Sequence, residues 1–470
     1  TTFSDRSRPV SFSDLTFLFY FLPLFFAVYY LVPFRCKNAV LVLGSAACYL
    51  LGAGVRDALL LSAVLLLHYF LARLMVGRSP RMRKGLLAAA LSADLFCLVY
   101  FKYAAFFLEN WGKLTGQSFP LVKLVLPLGV SFYLFQSAGY LIDVCRGAAA
   151  EKNLVDYAAF TIAFPQLTMG PILRYDEWRG ALKERTLSRE DAFLGFELFA
   201  VGLCFKVLLA DQLAPLWASL ERIGYGYLST PLAWLGAASY SLQLYFDFSG
   251  YSLMAMGLGQ MLGLAVPRNF DLPYTARSVS EFYRRWHITL GTWLRDYLYI
   301  PLGGSRRGKA RTALALTVVW FFTGLWHGAS WNFVLWGIVL LFIILLEKFC
   351  IGSFLKKHAL LSHLYLLFVI PPTWVIFRIT KLSDVGAYFS RLFPFFGTHS
   401  AVSAQDALKL LSSYWWLLLL GILFCLPQPR RFFEKHRGTP LIDLPLFVLF
   451  WVCVYFIATS AGNAFLYSRF

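Results

Sequence analysis

The chain has 470 residues, of which 59% are hydrophobic, 18% aromatic and only 14% charged. An ordinary soluble domain contains roughly 25% charged residues, so this composition excludes a typical soluble globular protein. Apolar runs that can cross about 30 Å of hydrocarbon recur along the whole chain. They predict an all-α polytopic membrane protein with roughly 11 to 13 transmembrane or re-entrant helices, at about 20 residues for each crossing.

The net charge of +18 does not indicate a nucleic-acid-binding protein, because the cations are concentrated in short loops beside apolar runs. Such clusters are typical of cytoplasmic loops, which are rich in Lys and Arg and lie near anionic headgroups. The eight cysteines occur singly, so the sequence predicts neither a disulfide framework nor a metal site. The basic clusters occupy residues 73–84, 306–311 and 430–437.

The first apolar run, residues 15–34, is longer than the hydrophobic region of a signal peptide, and we expect it to remain as a spanning helix. Arg35 and Lys37 follow it directly, and the basic cluster 73–84 follows the third run. Both loops are therefore predicted to face the cytoplasm, with the amino terminus and the loop 109–118 on the opposite side.

Several later segments combine membrane-like apolarity with polar or helix-breaking residues. The segment that begins near residue 121 is interrupted by Pro127 and carries Gln136. Asp247 follows Gln243 by four residues, so the two share one helical face. Because broken or ionisable membrane segments usually line a protein cavity, we predict that Gln136 and Asp247 face a substrate-binding surface. No internal repeat is visible, and a single membrane domain over residues 1–470 is the simplest organisation.

The most polar region is residues 268–311, where nine Arg or Lys and three Asp or Glu alternate with aromatic residues. This mixture predicts amphipathic helices at the cytoplasmic membrane interface. Arg284, Arg285 and Arg295 are candidates for holding the anionic phosphates of a substrate. His287 follows the first two arginines, and it is either a functional histidine or one that is simply solvated at the interface.

An apolar run over residues 312–331 contains His327. If the run is one helix, His327 lies about 15 residues or roughly 22 Å from its start, past the middle of the membrane. Histidine accepts and returns protons near neutrality, so His327 is the candidate base. Gly324 and Gly328 leave room for a substrate or another backbone, and Trp326 is a candidate stacking surface. The alternative is a packing histidine that only donates to a backbone carbonyl.

Two stretches, RRWHITLGTWLRDYLYIPLGG and GLWHGASWNFVLWG, resemble the two-histidine signature of bacterial membrane-bound O-acyltransferases, in particular the alginate O-acetyltransferase branch. The resemblance covers most of the chain, because further motifs follow in the family's order, including PLGVSFYLFQSAGYLIDV, GLCFKVLLADQLAPL and YFDFSGYSLMAMGLG. It implies a ring of tilted helices around a central channel, with His327 as catalytic histidine and His287 as the second histidine of the channel. The chain departs from the family's aromatic, glutamine-containing tail in ending NAFLYSRF.

The resemblance also implies the reaction. We expect an acyl thioester, preferentially acetyl-CoA, to enter from the cytoplasm as a donor substrate, without a bound cofactor or metal. The expected acceptor is a hydroxyl of an extracytoplasmic polysaccharide or of a secreted partner transferase, at a bacterial inner membrane. D-Alanyl transfer to teichoic acid is the alternative within the family, and a polysaccharide transporter or a structural scaffold is the alternative outside it. The candidate substrate-binding residues are Arg284, Arg285, Trp286, Arg295, Asp296, Trp326, Gln136 and Asp247.

Overall fold

The computed structural model describes residues 11–117, 125–396, 403–459 and 465–466. These residues are mainly α-helical, and the β-type pairing recorded among them is an isolated antiparallel bridge between Phe270 and Trp286. The predicted all-α class is therefore confirmed. Residue 118 of the predicted outer loop, residues 121–124 before Pro127 and most of the terminal NAFLYSRF lie outside the described residues.

The helices are numbered in chain order. The first half of the chain contains α1 Leu22–Leu31, α2 Phe34–Ala53, α3 Val55–Met75, α4 Pro80–Leu98, α5 Ala104–Thr115, α6 Val130–Arg146, α7 Leu154–Ile162, α8 Tyr175–Lys183, α9 Arg189–Cys204, α10 Asp211–Ile223 and α11 Thr230–Met261. The second half contains α12 Val279–Arg285, α13 Ile288–Leu294, α14 Lys309–His327, α15 Trp331–Leu346, α16 Gly352–Lys357, α17 Ala359–Arg378, α18 Leu382–Leu392, α19 Gln405–Phe424, α20 Pro427–His436 and α21 Pro440–Thr459.

Eight helical stretches in the described ranges are long and apolar enough to span a membrane. Some of them join two α-helices through a π-helical turn, such as Val99–Tyr103 between α4 and α5. The predicted first span is a shorter apolar helix, Phe17–Leu31. Many large apolar side chains of these helices are exposed, as expected for surfaces that lipid solvates. The eight stretches are Phe34–Ala53, Val55–Met75, Pro80–Thr115, Arg189–Ile223, Trp331–Lys357, Ala359–Arg378, Gln405–Phe424 and Pro440–Thr459.

The apolar run 312–331 does not form one continuous helix, which corrects the expectation for His327. Helix α14 ends at His327, and α15 begins at Trp331 after a short turn. The two helices run antiparallel and in close contact, because an added Cβ at Gly324 would lie 2.6 Å from the Phe333 carbonyl oxygen. An added Cβ at Gly337 of α15 would lie 2.7 Å from the Trp320 carbonyl oxygen of α14. His327 therefore lies at the end of a tight helical hairpin rather than inside a helix.

The chain forms two compact units. The described residues of the first unit come from Thr1–Phe199, Met254–Pro267 and Ile457–Arg469, and those of the second from Ala200–Leu253 and Arg268–Phe456. His287 and His327 both belong to the second unit. A single domain over residues 1–470 stays a prediction, since compactness does not reveal whether either unit folds alone.

A buried carboxylate ties together several segments of the first unit. Glu151 is 3% exposed, accepts a hydrogen bond from the Tyr175 hydroxyl and has Lys183 Nζ at 3.2 Å. The backbone N–H groups of Lys152 and Asn153 donate to the same carboxylate at 2.8 and 2.9 Å. Burial alone would raise the pKa of Glu151, but these donors outweigh it and lower the pKa to about 2. Glu151 lies between α6 and α7, outside the eight candidate spans.

Candidate active site

His327 is held at the end of α14 by its own backbone. The side chain is buried, and Nδ1 lies 2.7 Å from the carbonyl oxygen of Thr323, one turn earlier. A carbonyl oxygen only accepts hydrogen bonds, so Nδ1 carries the proton of the ring in this contact. In the neutral imidazole the basic lone pair is then on Nε2. The backbone contact is the one expected of a packing histidine, and it also leaves the ring in the tautomer of a base.

Aromatic rings surround the His327 imidazole within the second unit. The ring centroid lies 4.9 Å from Trp326, 4.9 Å from Trp336 and 5.2 Å from Phe377, all in edge-on arrangements. The end of α17, which carries Phe377, is held to α15 by Asn332, whose amide donates to the Phe377 carbonyl at 3.0 Å. These contacts restrict the imidazole to one orientation in a mainly apolar environment, where water access is limited.

His287 lies in a strained turn between α12 and α13. Its φ of 49° is in the left-handed region, which costs a residue other than glycine about 1–3 kcal/mol. Nδ1 lies 3.1 Å from the side-chain oxygen of Asn269. That oxygen also accepts from the Thr289 backbone N–H at 3.2 Å, and this N–H identifies it as the oxygen of the amide. His287 Nδ1 therefore donates to Asn269, and the lone pair of the neutral ring is again on Nε2.

One tryptophan contacts both histidines. The Trp326 ring centroid lies 6.0 Å from that of His287 and 4.9 Å from that of His327. Phe248 of α11 also meets the His287 ring edge-on, with 4.8 Å between the ring centroids. His287 lies outside the eight candidate spans, and burial, together with the nearby His327, holds the pKa of His287 well below 6.5. His287 is therefore neutral at physiological pH.

The remaining predicted residues of the interface have different environments. Trp286 is buried in an aromatic core, 4.8 Å from the Trp374 ring centroid, so it supports the turn at His287 rather than an open surface. Arg285 pairs with Glu281 at 2.6 Å. Arg284, in the last turn of α12, is exposed.

Asp296 also has a partner within the protein. Both Asp296 carboxylate oxygens accept from Arg295, at 2.6 and 3.1 Å, so each of these two candidates engages the other. Trp326 is 9% exposed and is the member of the substrate-binding set that contacts both histidines.

Asp247 and Gln136 are bound inside separate units. Asp247 pairs with Lys206 at 2.8 Å, and Lys206 also pairs with Asp211 at 2.8 Å. The side chains of Lys206 and Asp247 are each 1% exposed, so this is a buried ionic cluster of the second unit. Gln136 belongs to the first unit, where its amide donates to the Phe160 carbonyl at 2.6 Å. Phe248, the residue that follows Asp247 in sequence, contacts the His287 ring.

Comparison with known proteins indicates the class of reaction that this protein performs. Residues 86–380 match the model of MBOAT, the membrane-bound O-acyltransferase family. The chain belongs to this family. Over 92% of its length it is 36% identical to "Probable alginate O-acetylase AlgI" of Azotobacter vinelandii, covering 89% of that protein. It is 30% identical to "Peptidoglycan O-acetyltransferase" of Helicobacter pylori, over 98% of this chain and 97% of the relative. "Teichoic acid D-alanyltransferase" of Streptococcus thermophilus is 30% identical over 43% of this chain and 52% of that protein.

The chain is therefore a membrane-bound O-acyltransferase, and the resemblance read from the two histidine motifs is confirmed. The enzyme class is favoured over the transporter and the scaffold, because the family and these relatives are acyltransferases. Together with the eight candidate spans, membership of this family makes the chain a multi-pass protein of the bacterial inner membrane.

Two residues of this acyltransferase were missed by the sequence analysis. Asn269 holds His287, yet nothing local marks a polar residue that acts on a side chain far along the chain. Lys206 did carry a signal, since a lysine inside a long apolar stretch requires a buried partner. In the described part of the chain no group of three His, Cys, Asp or Glu side chains is arranged to hold a metal ion.

Proposed function

We propose that this O-acyltransferase moves an acetyl group from cytoplasmic acetyl-CoA to a hydroxyl outside the membrane, with His327 as the base. The acceptor belongs to an extracytoplasmic polysaccharide or to a secreted partner transferase. The two O-acetylation relatives described above are similar over more than nine tenths of this chain, whereas the D-alanyltransferase is similar over 43% of it. This difference in extent favours acetyl transfer over D-alanyl transfer.

His327 begins the proposed reaction as a neutral base. Nε2 removes the proton of the acceptor hydroxyl while its oxygen attacks the thioester carbonyl carbon. The carbon–sulfur bond then breaks, and the imidazolium returns the proton from Nε2 to the leaving thiolate, which gives an ester and a thiol. The observation that carries this role is the Thr323 contact, which keeps the ring proton on Nδ1 and the basic nitrogen on Nε2.

His287 has a different proposed role. In its neutral form, with Nδ1 donating to Asn269, Nε2 accepts a hydrogen bond and has no proton to donate. It is therefore suited to orient an O–H or N–H group of a substrate, rather than to polarise the thioester carbonyl. Trp326, which touches both imidazoles, is suited to form an apolar wall beside the reacting groups.

The donor phosphates require cations at the predicted cytoplasmic face. Arg285 and Arg295 already pair with Glu281 and Asp296. Arg284 is exposed on the last turn of α12, close in sequence to His287, and we propose it as the phosphate contact. Arg284→Gln should then raise KM for acetyl-CoA with little change in kcat.

The test measures transfer of labelled acetyl from acetyl-CoA to cell-surface material in membranes that contain matched amounts of folded protein. We compare wild type with His327→Ala and with a control, His358→Ala, whose side chain is exposed. Label that is lost only in His327→Ala supports both the base and the donor. Equal labelling in all three removes His327 from the chemistry. If wild-type membranes transfer no label from acetyl-CoA but do transfer D-alanine from its carrier protein, the donor assignment is wrong.

A further inference from the structure

Helix α20 is an amphipathic helix with its position set by two membrane spans. It runs from Pro427 to His436, directly after the candidate span that ends at Phe424 and before the one that begins at Pro440. Ten residues of helix extend only about 15 Å, and the links to both spans are short. The helix therefore lies along the membrane surface, and its basic composition predicts the cytoplasmic side.

One side of α20 forms an ionic quartet with residues 268–271. Arg430 Nη1 lies 2.5 Å from Asp271, and Arg430 Nε lies 2.9 Å from Glu434. Arg268 closes the quartet, at 3.0 Å from Glu434 and 3.9 Å from Asp271. These groups are partly exposed, and an isolated pair of this kind contributes little to stability. The two cations and two anions of the quartet instead fix the position of α20 against residues 268–271.

The segment that α20 holds is the one that supports His287. Asn269, between the two quartet residues, accepts the hydrogen bond from His287 Nδ1. The Asp271 backbone N–H donates to the Arg285 carbonyl at 2.9 Å, and the Ile288 N–H donates to the Asn269 carbonyl at 2.9 Å. A displacement of α20 would therefore pass directly to the backbone around the second histidine.

A neighbouring face of α20 has the composition of a lipid-binding surface. Arg431 and Lys435 are exposed and lie one turn apart, and Phe432 between them is 51% exposed. Among the described residues neither cation has an ion pair, and the helix's single acid, Glu434, belongs to the quartet. Exposed cations beside an exposed aromatic ring complement an anionic headgroup layer.

We propose that α20 binds anionic phospholipid headgroups of the cytoplasmic leaflet through Arg431 and Lys435, and that this anchoring holds Asn269 and His287 in their active geometry. The dependence of activity on lipid charge rests on the proposed function, whereas the lipid binding does not. Acyl transfer therefore responds to the anionic lipid content of the membrane, in addition to its two substrates.

The test uses the full-length protein in bilayers of phosphatidylcholine, with or without part of it replaced by phosphatidylglycerol. Retention of phosphatidylglycerol on the purified protein and acyl transfer are measured separately. Loss of both cations in Arg431→Gln, Lys435→Gln should weaken phosphatidylglycerol binding about thirtyfold, and the activity should fall to its value in phosphatidylcholine alone. Arg306→Gln, Lys309→Gln removes the same charge from another exposed basic loop that does not contact the quartet, so activity should still rise with phosphatidylglycerol even where lipid retention falls.

A second variant separates binding from coupling. Glu434→Gln weakens the quartet without removing an outer cation, so it should retain phosphatidylglycerol binding while activity no longer depends on it. Equal lipid binding by wild type and Arg431→Gln, Lys435→Gln would overturn the proposal and leave an acidic protein as the partner of this surface. Equal effects of the two double variants would overturn it in favour of bulk charge. Charge-dependent lipid binding with no acyl transfer in any bilayer would instead count against the proposed function.

Discussion

Replacement of Gly324 by alanine should test how His327 is positioned. An added Cβ would lie 2.6 Å from the Phe333 carbonyl oxygen, whereas ordinary contact begins at 3.4 Å. The obstructing atom belongs to the backbone of α15, so it cannot move aside as the end of a flexible side chain would. The helices must separate by up to about 0.8 Å, and His327 is only one turn further along α14.

This overlap has a predicted size for both stability and rate. Overpacking by one methyl group typically costs about 1–3 kcal/mol in the free energy of unfolding. A displacement of a catalytic group by about 1 Å can lower the rate about 100-fold. We therefore expect Gly324→Ala to reduce kcat by one to two orders of magnitude, with a smaller effect on KM, because the change displaces the base and removes no substrate contact.

Purified variants in detergent would be compared by thermal unfolding and by transfer of labelled acetyl groups. Gly85→Ala is the matched control, since Gly85 lies in α4 with no atom within 4 Å of its added Cβ and has no positive φ. This control should be neutral or stabilised by up to about 1 kcal/mol, because alanine favours a helix more than glycine does. Wild-type kcat and melting temperature in Gly324→Ala would refute the proposed link between helix packing and His327.

Three further changes test other parts of the protein. Asn269→Asp places a carboxylate beside His287 and raises the pKa of the imidazole, so the acidic limb of the pH–rate profile should move to higher pH. Asn269→Ala should not cause this shift, and an unmoved limb in Asn269→Asp would contradict the role of Asn269 as the partner of His287. Because the pKa of Glu151 is lowered from 4.5 to about 2, this carboxylate should contribute on the order of 3 kcal/mol to the free energy of unfolding above pH 4.5 and lose that contribution as the pH falls toward 2. Equilibrium unfolding of wild type and Glu151→Gln measures this, and a difference that does not change with pH would be contrary to expectation. Lys206→Met leaves Asp247 buried without its cation and should lower the free energy of unfolding by about 3–5 kcal/mol. The double variant Lys206→Met, Asp247→Asn should recover most of this loss, whereas simple additivity of the two changes would argue against a coupled pair.

Short-range patterns predicted the class of the protein and the two histidines. Apolar runs indicate spans because lipid offers backbone groups no hydrogen bonds, and helices satisfy those groups internally. His287 and His327 are recognisable because each lies in a compact motif whose residues are neighbours in sequence. The predicted helix through 312–331 was wrong at its end, because the hairpin between α14 and α15 depends on glycine contacts across two helices.

The predicted substrate-binding residues show what short-range patterns do not predict. Asp247 is an ionisable residue in a mainly apolar segment, which suggested a substrate surface, but its partner Lys206 lies on another helical stretch. Trp286 lies in the histidine motif, yet its ring packs against Trp374 of α17. A residue type and its local spacing indicate that a group needs a partner, but they do not identify that partner.

By itself the sequence determined a polytopic helical protein through its hydropathy, and the resemblance of its ordered motifs to a known family implied an acyltransferase with a histidine pair. For His327 the protonated nitrogen is set by the Thr323 carbonyl one turn earlier in α14, a contact that the helix itself supplies. Only the tertiary structure decided which nitrogen of His287 carries the proton, because that nitrogen donates to Asn269, 18 residues away in sequence. Hydrogen bonds that act over a few ångströms between residues separated along the chain exist only after the helices have packed.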